Sequence, residues 1–206
     1  MASAPRPKSS PHPPHIRSFT IKIMERQIEV SQWVPYRVEL VFAFFADPAN
    51  SPLLLPPQLE TKIEDLQLEP PPALKAVPEL VRNLPGNVAG AGSEILVSFQ
   101  PFSWPRLRMR SRLRITKFAW NSHFCDEQIQ GPFHTFRHFH TMNPEVRKNV
   151  NGTRVTDTID YALPGRLVEL LGGRLVRKRL NEALAYRQER LLEALSTVVR
   201  LAEQCG

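Results

Sequence analysis

Hydrophobic positions across residues 164–204 recur at three-, four- and seven-residue steps: Leu180, Leu184, Leu191, Leu195, Val198 and Ala202. That is the 3.6-residue period of an amphipathic helix. Arg177, Lys178, Glu182, Glu189, Arg190 and Glu193 fall largely off this stripe, where water can solvate them. Each buried leucine contributes roughly 1.5–3 kcal/mol, so a helix this long needs a broad apolar receiver. Upstream, the period changes to two. Leu107, Met109, Leu113 and Ile115 alternate with Arg106, Arg108, Arg110, Arg112 and Arg114, which makes 106–118 the plainest strand in the chain. Further strands are predicted over 19–34, 58–68, 93–102, 124–130, 133–142 and 153–163, the last entered by a turn at Asn149-Val150-Asn151-Gly152. A helix over 37–46 groups Val38, Val41, Phe42 and Phe45 on one side, and Asp47-Pro48 opens a second short helix toward Leu55. Sequential strands joined by short turns imply antiparallel pairing. The expected class is α+β: a curved seven-stranded antiparallel sheet wrapped around a long C-terminal helix, with two short helices after the first strand.

The first 18 residues hold Pro5, Pro7, Pro11, Pro13 and Pro14 among Ser, Lys and His. This segment cannot build a core and reads as a disordered basic tail. Residues 19–206 form the expected single domain. Within it, 69–92 is rich in proline and glycine; a loop of that length is a candidate lid, with a short helix expected near 76–83.

Composition changes the picture little. A net charge of +7 suggests polyanions, yet acidic residues are interleaved nearly everywhere outside 106–117. The five arginines read as a solvated outer face paired with carboxylates on adjacent strands, with weak contact to an anionic surface as the alternative. The strand lacks the interleaved aromatics of an RNA-binding sheet, so no specific nucleic-acid partner is expected. Cys125 and Cys205 make no disulfide framework and suit a reducing compartment. No apolar run approaches the ~20 residues of a membrane span. The opening Met-Ala-Ser-Ala-Pro-Arg-Pro-Lys has no apolar signal core, so a cytoplasmic location is expected.

The wording of particular stretches goes further. Asp126-Glu127-Gln128-Ile129-Gln130-Gly131-Pro132-Phe133, followed by Phe136-Arg137-His138-Phe139-His140, resembles the Asp-x-Gln, Gly-Pro-Tyr/Phe and Trp-x-His-x-His run of a bacterial branch of the SRPBCC, or START-like, helix-grip superfamily. That superfamily includes birch-pollen-type allergens and polyketide cyclases or dehydrases. The run from Gly152 to Pro164 is similar to the branch's last strand, Ala185-Tyr186-Arg187 to a piece of its terminal helix, and Gln32-Trp33-Val34-Pro35 with Val41–Asp47 to its opening. Phe136 stands where relatives tend to carry Trp, Leu184 where they tend to carry Phe, and the 69–92 connection is longer. The resemblance implies a cavity between sheet and helix that takes a hydrophobic ligand, and it implies no metal or other cofactor.

Strand alternation then nominates the site. Phe136, His138, His140 and Met142 share one face, as do Asp126 and Gln128, and as do Val155, Asp157, Ile159 and Tyr161. Their apolar members point these faces inward. Asp126, Gln128, His138, His140, Asp157 and Tyr161 are therefore candidate polar wall residues, and Phe42, Phe45, Met109, Phe136 and Leu184 candidate apolar ones. The leading expectation is a carrier or sensor for a lipid, quinone, polyketide or aromatic metabolite. The first alternative is a cyclase or dehydratase using His138 or His140 with Asp157 as general base; the second is an interaction protein using the basic face. His138-x-His140 with a carboxylate could ligate zinc, but a hydrogen-bonded core pair is the preferred reading.

Overall fold

The computed structural model describes residues 25–73, 87–102 and 107–205. The expected basic tail, the helix near 76–83 and Arg106 lie outside them, as does much of the candidate lid. Strand β1 (Arg26–Val34) leads into helix α1 (Val38–Ala46), two 3-10 turns (Pro48–Leu54 and Pro57–Leu59) and β2 (Lys62–Gln67). Then come β3 (Glu94–Phe99), β4 (Met109–Ala119), β5 (His123–Gln130), β6 (Thr135–Arg147), β7 (Val150–Ala162) and the long helix α2 (Arg166–Cys205). The seven strands form one sheet in the order β1-β7-β6-β5-β4-β3-β2, and every neighbouring pair is antiparallel.

The second short helix is a 3-10 segment. Pro52 lies inside it and removes a backbone donor an α-helix would need. Asp47 starts the segment: its carboxylate accepts a bond from the Ala49 amide at 3.0 Å.

The β6–β7 turn falls earlier than the Asn-Gly signal suggests. Arg147 pairs with Val150, so Lys148 and Asn149 form a two-residue loop, and both have positive φ (48° and 62°). This is the twist a tight hairpin demands. Gly152 lies inside β7 instead, beneath Trp33 of β1. A Cβ there would come within 2.5 Å of the indole and of the Val34 carbonyl oxygen. Gly152→Ala should therefore destabilise the protein by about 1–3 kcal/mol, the usual cost of overpacking, seen as a lower urea midpoint.

On the outer face of β4 the ion-pair reading holds in part, since exposed Arg110 makes no salt bridge among the described residues. Arg112 and Arg114 both reach Glu94 on β3, at 3.4 and 3.0 Å, and Arg108 bonds Ser98 at 2.7 Å and lies 3.5 Å from Glu60. Glu127 on β5, opposite Arg114, pairs with Arg137 of β6. Register shifts between Arg112 and Leu113 and between Ile115 and Lys117 insert bulges that bend the β4–β5 pair.

The interior holds two apolar clusters. One gathers α1, the first 3-10 segment and the C-terminal half of α2, with Phe42, Phe44, Leu54, Phe124, Met142, Leu191 and Leu195 at its centre. The other joins Ile28, Ile159, Tyr161 and Leu184, with Phe133, Phe136 and Leu180 packed on it. The helical stripe is buried from Leu184 through Leu191, Leu195 and Val198, whereas Leu167, Leu170 and Leu171 in the first turns of α2 are exposed.

Candidate functional site

A polar seam lies between these clusters. Strand alternation turns Asp126 (β5), His138 and His140 (β6) and Asp157 (β7) to the inner face, and register sets Asp126 opposite His138 and His140 opposite Asp157. Helix α2 adds Arg187 from above. Three donors converge on one oxygen, Asp157 Oδ1: His138 Nε2 at 2.9 Å, His140 Nδ1 at 2.8 Å and Arg187 Nη1 at 2.8 Å. The other nitrogen of His140, Nε2, lies 3.1 Å from Asp126 Oδ2. The His140 ring stacks on Phe124 at 4.4 Å, and the Arg187 guanidinium lies over Phe45 at 5.3 Å.

The charges follow from the contacts. Burial opposes ionisation of Asp157, but the Arg187 cation and the two imidazole donors outweigh it and hold the carboxyl well below the usual range. Burial also opposes a charge on His140. Bonds to both Asp126 and Asp157 overcome this and raise its pKa, as expected for an imidazolium donating from both nitrogens. His138 goes the other way: burial first, then repulsion from His140, push it down to about 4, so it is neutral at physiological pH. Arg187 Nη1 and His140 Nδ1 are 3.2 Å apart, two donors sharing one acceptor.

Beside the seam is a cavity of about 70 Å³, partly open to solvent. Ile95, Val97, Leu113, Ile115 and Phe124 of β3–β5 form one wall. Phe44 and Phe45 of α1 and the Pro48–Leu54 segment form the other, and Asp126, His140 and Arg187 form a polar floor.

Of the residues nominated from sequence, Phe45, Asp126 and His140 are on this cavity wall, and His138 and Asp157 lie in the seam behind it. The others are placed elsewhere. Phe42 is fully buried among Phe118, Trp120 and Phe124 at 5.3, 5.5 and 5.9 Å, because α1 turns it toward the end of β4. Met109 sits at the start of β4 opposite Phe99. Gln128 does not join the histidines: its side chain donates to the Phe133 carbonyl at 2.8 Å and accepts from Ser111 at 3.3 Å, clamping the Gly131-Pro132 turn. Phe136, Tyr161 and Leu184 belong to the second cluster, where Phe133 and Phe136 meet at 5.0 Å. The Tyr161 hydroxyl is buried there without a hydrogen-bond partner among the described residues. Arg187 received no role from the sequence. It had a signal: it falls between Leu184 and Leu191 on the apolar stripe, and a charge at such a position must find a buried partner.

A single antiparallel sheet packed over a long terminal helix, with short helical segments after the first strand and a cavity between the layers, is the helix-grip fold. No protein-family model and no curated protein matches the chain. Among solved structures it is similar to TTHA0849 from Thermus thermophilus, with a TM-score of 0.53 and 16% identity over 84% of this chain and 98% of that one. Norcoclaurine synthase from Thalictrum flavum matches with a TM-score of 0.53 and 14% identity over 96% and 98%. Major latex-like protein 151 from Panax ginseng matches with a TM-score of 0.53 and 11% identity over 82% and 96%. At these identities the likeness is one of fold.

Proposed function

We propose that the chain is a carrier or sensor that binds a compact ligand with an apolar body and one polar end in the cavity between sheet and helix. The observation that carries this reading is the cavity's construction: hydrocarbon walls over a floor of Asp126, His140 and Arg187. Burial of apolar ligand surface would supply affinity, and the floor would orient the polar end. The volume narrows the candidates. At about 70 Å³ it is roughly half of the ~150 Å³ cavity that takes up benzene. One ring would therefore enter only as the cavity widens. Among lipids, quinones, polyketides and aromatic metabolites, this favours a single-ring aromatic metabolite.

The same floor weighs against a cyclase or dehydratase. A general base needs a nitrogen lone pair within reach of substrate. His140, the histidine on the cavity wall, has both nitrogens engaged with carboxylates. The basic face is a weaker candidate for partner binding than its sequence suggests, since Arg108, Arg112 and Arg114 are held by acidic neighbours.

A fragment screen followed by amide chemical shifts tests the proposal. At least one aromatic fragment should bind saturably and move the signals of Ile95, Leu113 and Ile115. Leu113→Trp, which fills the cavity from a half-buried position, should abolish that binding with unchanged circular dichroism. Absence of any saturable fragment, or binding that survives Leu113→Trp, would refute it.

A further inference from the structure

We propose that Asp126, His138 and His140 form a site for one divalent transition-metal ion of the zinc or iron(II) class, at the border of the cavity and the seam behind it. The site shares the cavity floor with the ligand reading but does not depend on it, because the ion can be measured directly.

The argument begins behind the histidines. Asp157 accepts from His138 Nε2 and from His140 Nδ1. A carboxylate that takes one ring N–H of each histidine fixes the tautomers and presents the opposite nitrogens, the usual outer-shell arrangement around a metal-binding imidazole. The nitrogens away from Asp157 are His138 Nδ1 and His140 Nε2, the latter bonded to Asp126 and so open to an ion only once it gives up its proton.

Asp126 closes the set. One donor atom from each of Asp126, His138 and His140 lies within 4.8 Å of the others. The 3.1 Å between His140 Nε2 and Asp126 Oδ2 already suits two ligands of one ion, since metal–ligand bonds of about 2.0–2.2 Å set neighbouring ligand atoms about 3 Å apart. Bringing in the third ligand asks for the His138 and Asp126 side chains to close in on His140 from a grouping that spans up to 4.8 Å. The ion would replace the proton on His140 Nε2, and that proton would leave to solvent.

Surrounding charges are compatible. Arg187 is the nearby cation: it bonds Asp157 on the Nδ1 side of His140 and also lines the cavity floor. Asp157 and Arg187 offset one another there, and Asp126 supplies negative charge on the ion's side. Asp126 and His140 also border the cavity. Two imidazoles and one carboxylate fill three coordination positions and leave the rest toward that space, the pattern of sites that take water or an exogenous ligand.

The test uses the full chain with zinc and cobalt(II). Calorimetry should give one ion per chain, and cobalt should produce visible absorption bands. Asp126→Asn and His138→Gln should each weaken binding by more than about 100-fold, beyond the about 10–100-fold typical of losing an outer-shell partner. His12→Gln/His15→Gln, in the N-terminal segment, should leave binding intact. X-ray absorption of the zinc-loaded parent should show two imidazoles with oxygen and no sulfur, which decides the matter even where a variant fails to fold. A parent that holds no ion, a sulfur ligand, binding that survives both site variants, or binding lost in His12→Gln/His15→Gln would overturn the proposal.

Discussion

Arg187→Leu is expected to lower stability by about 3–5 kcal/mol, the range for removing one partner of a buried ion pair. The Asp157 side chain is only 5% exposed, and its charge rests on the guanidinium that α2 lowers onto it. Without Arg187, the carboxylate keeps two imidazole donors but loses the guanidinium, whose charge does not depend on pH. Urea unfolding measures the effect, and the slope should stay constant while the midpoint falls. A double variant, Arg187→Leu with Asp157→Asn, should recover part of the loss, because the stranded charge is gone. An Arg187→Leu protein within about 0.5 kcal/mol of the parent, as for an ordinary surface change, would show that the seam has no such role.

Phe42→Ala should cost a similar amount, about 3–5 kcal/mol. The ring is fully buried and meets Phe118, Trp120 and Phe124, two of them edge-on. It joins α1 to the far ends of β4 and β5, so its removal opens a space bounded by rigid aromatics that cannot collapse into it. Thermal unfolding of the variant checks this. Near-parental stability would mean that α1 shifts to close the gap.

Periodicity made the fold legible: alternation in β4 and the leucine spacing of α2 each name a face, and the two faces need one another. The seam was half legible. Strand parity alone places His138, His140 and Asp157 on one side, because register between adjacent strands preserves facing. Parity cannot tell which inward residues meet. Gln128 has the same parity as Asp126, yet the turn that begins three residues beyond it provides nearer partners. Phe136 shares a face with His140 but lies four residues nearer the other end of β6, over a different cluster. The cavity wall from Ile95, Leu113 and Ile115 depends on the curvature that bulges impose and on the seating of a proline-rich 3-10 segment. Neither is written in a hydrophobic period.

The sheet order also has a kinetic meaning. Its first strand lies beside its last, so that Gln27 bonds Asp160 across 133 residues of chain. During synthesis β1 leaves the ribosome with no neighbour to accept its edge, and the remaining strands can zip together before it is joined. Loop closure over such a span is entropically slow. The Arg26–Val34 edge should accordingly be the last to gain amide protection on refolding, and until then the exposed edge is a place where chaperones or stray strands can attach.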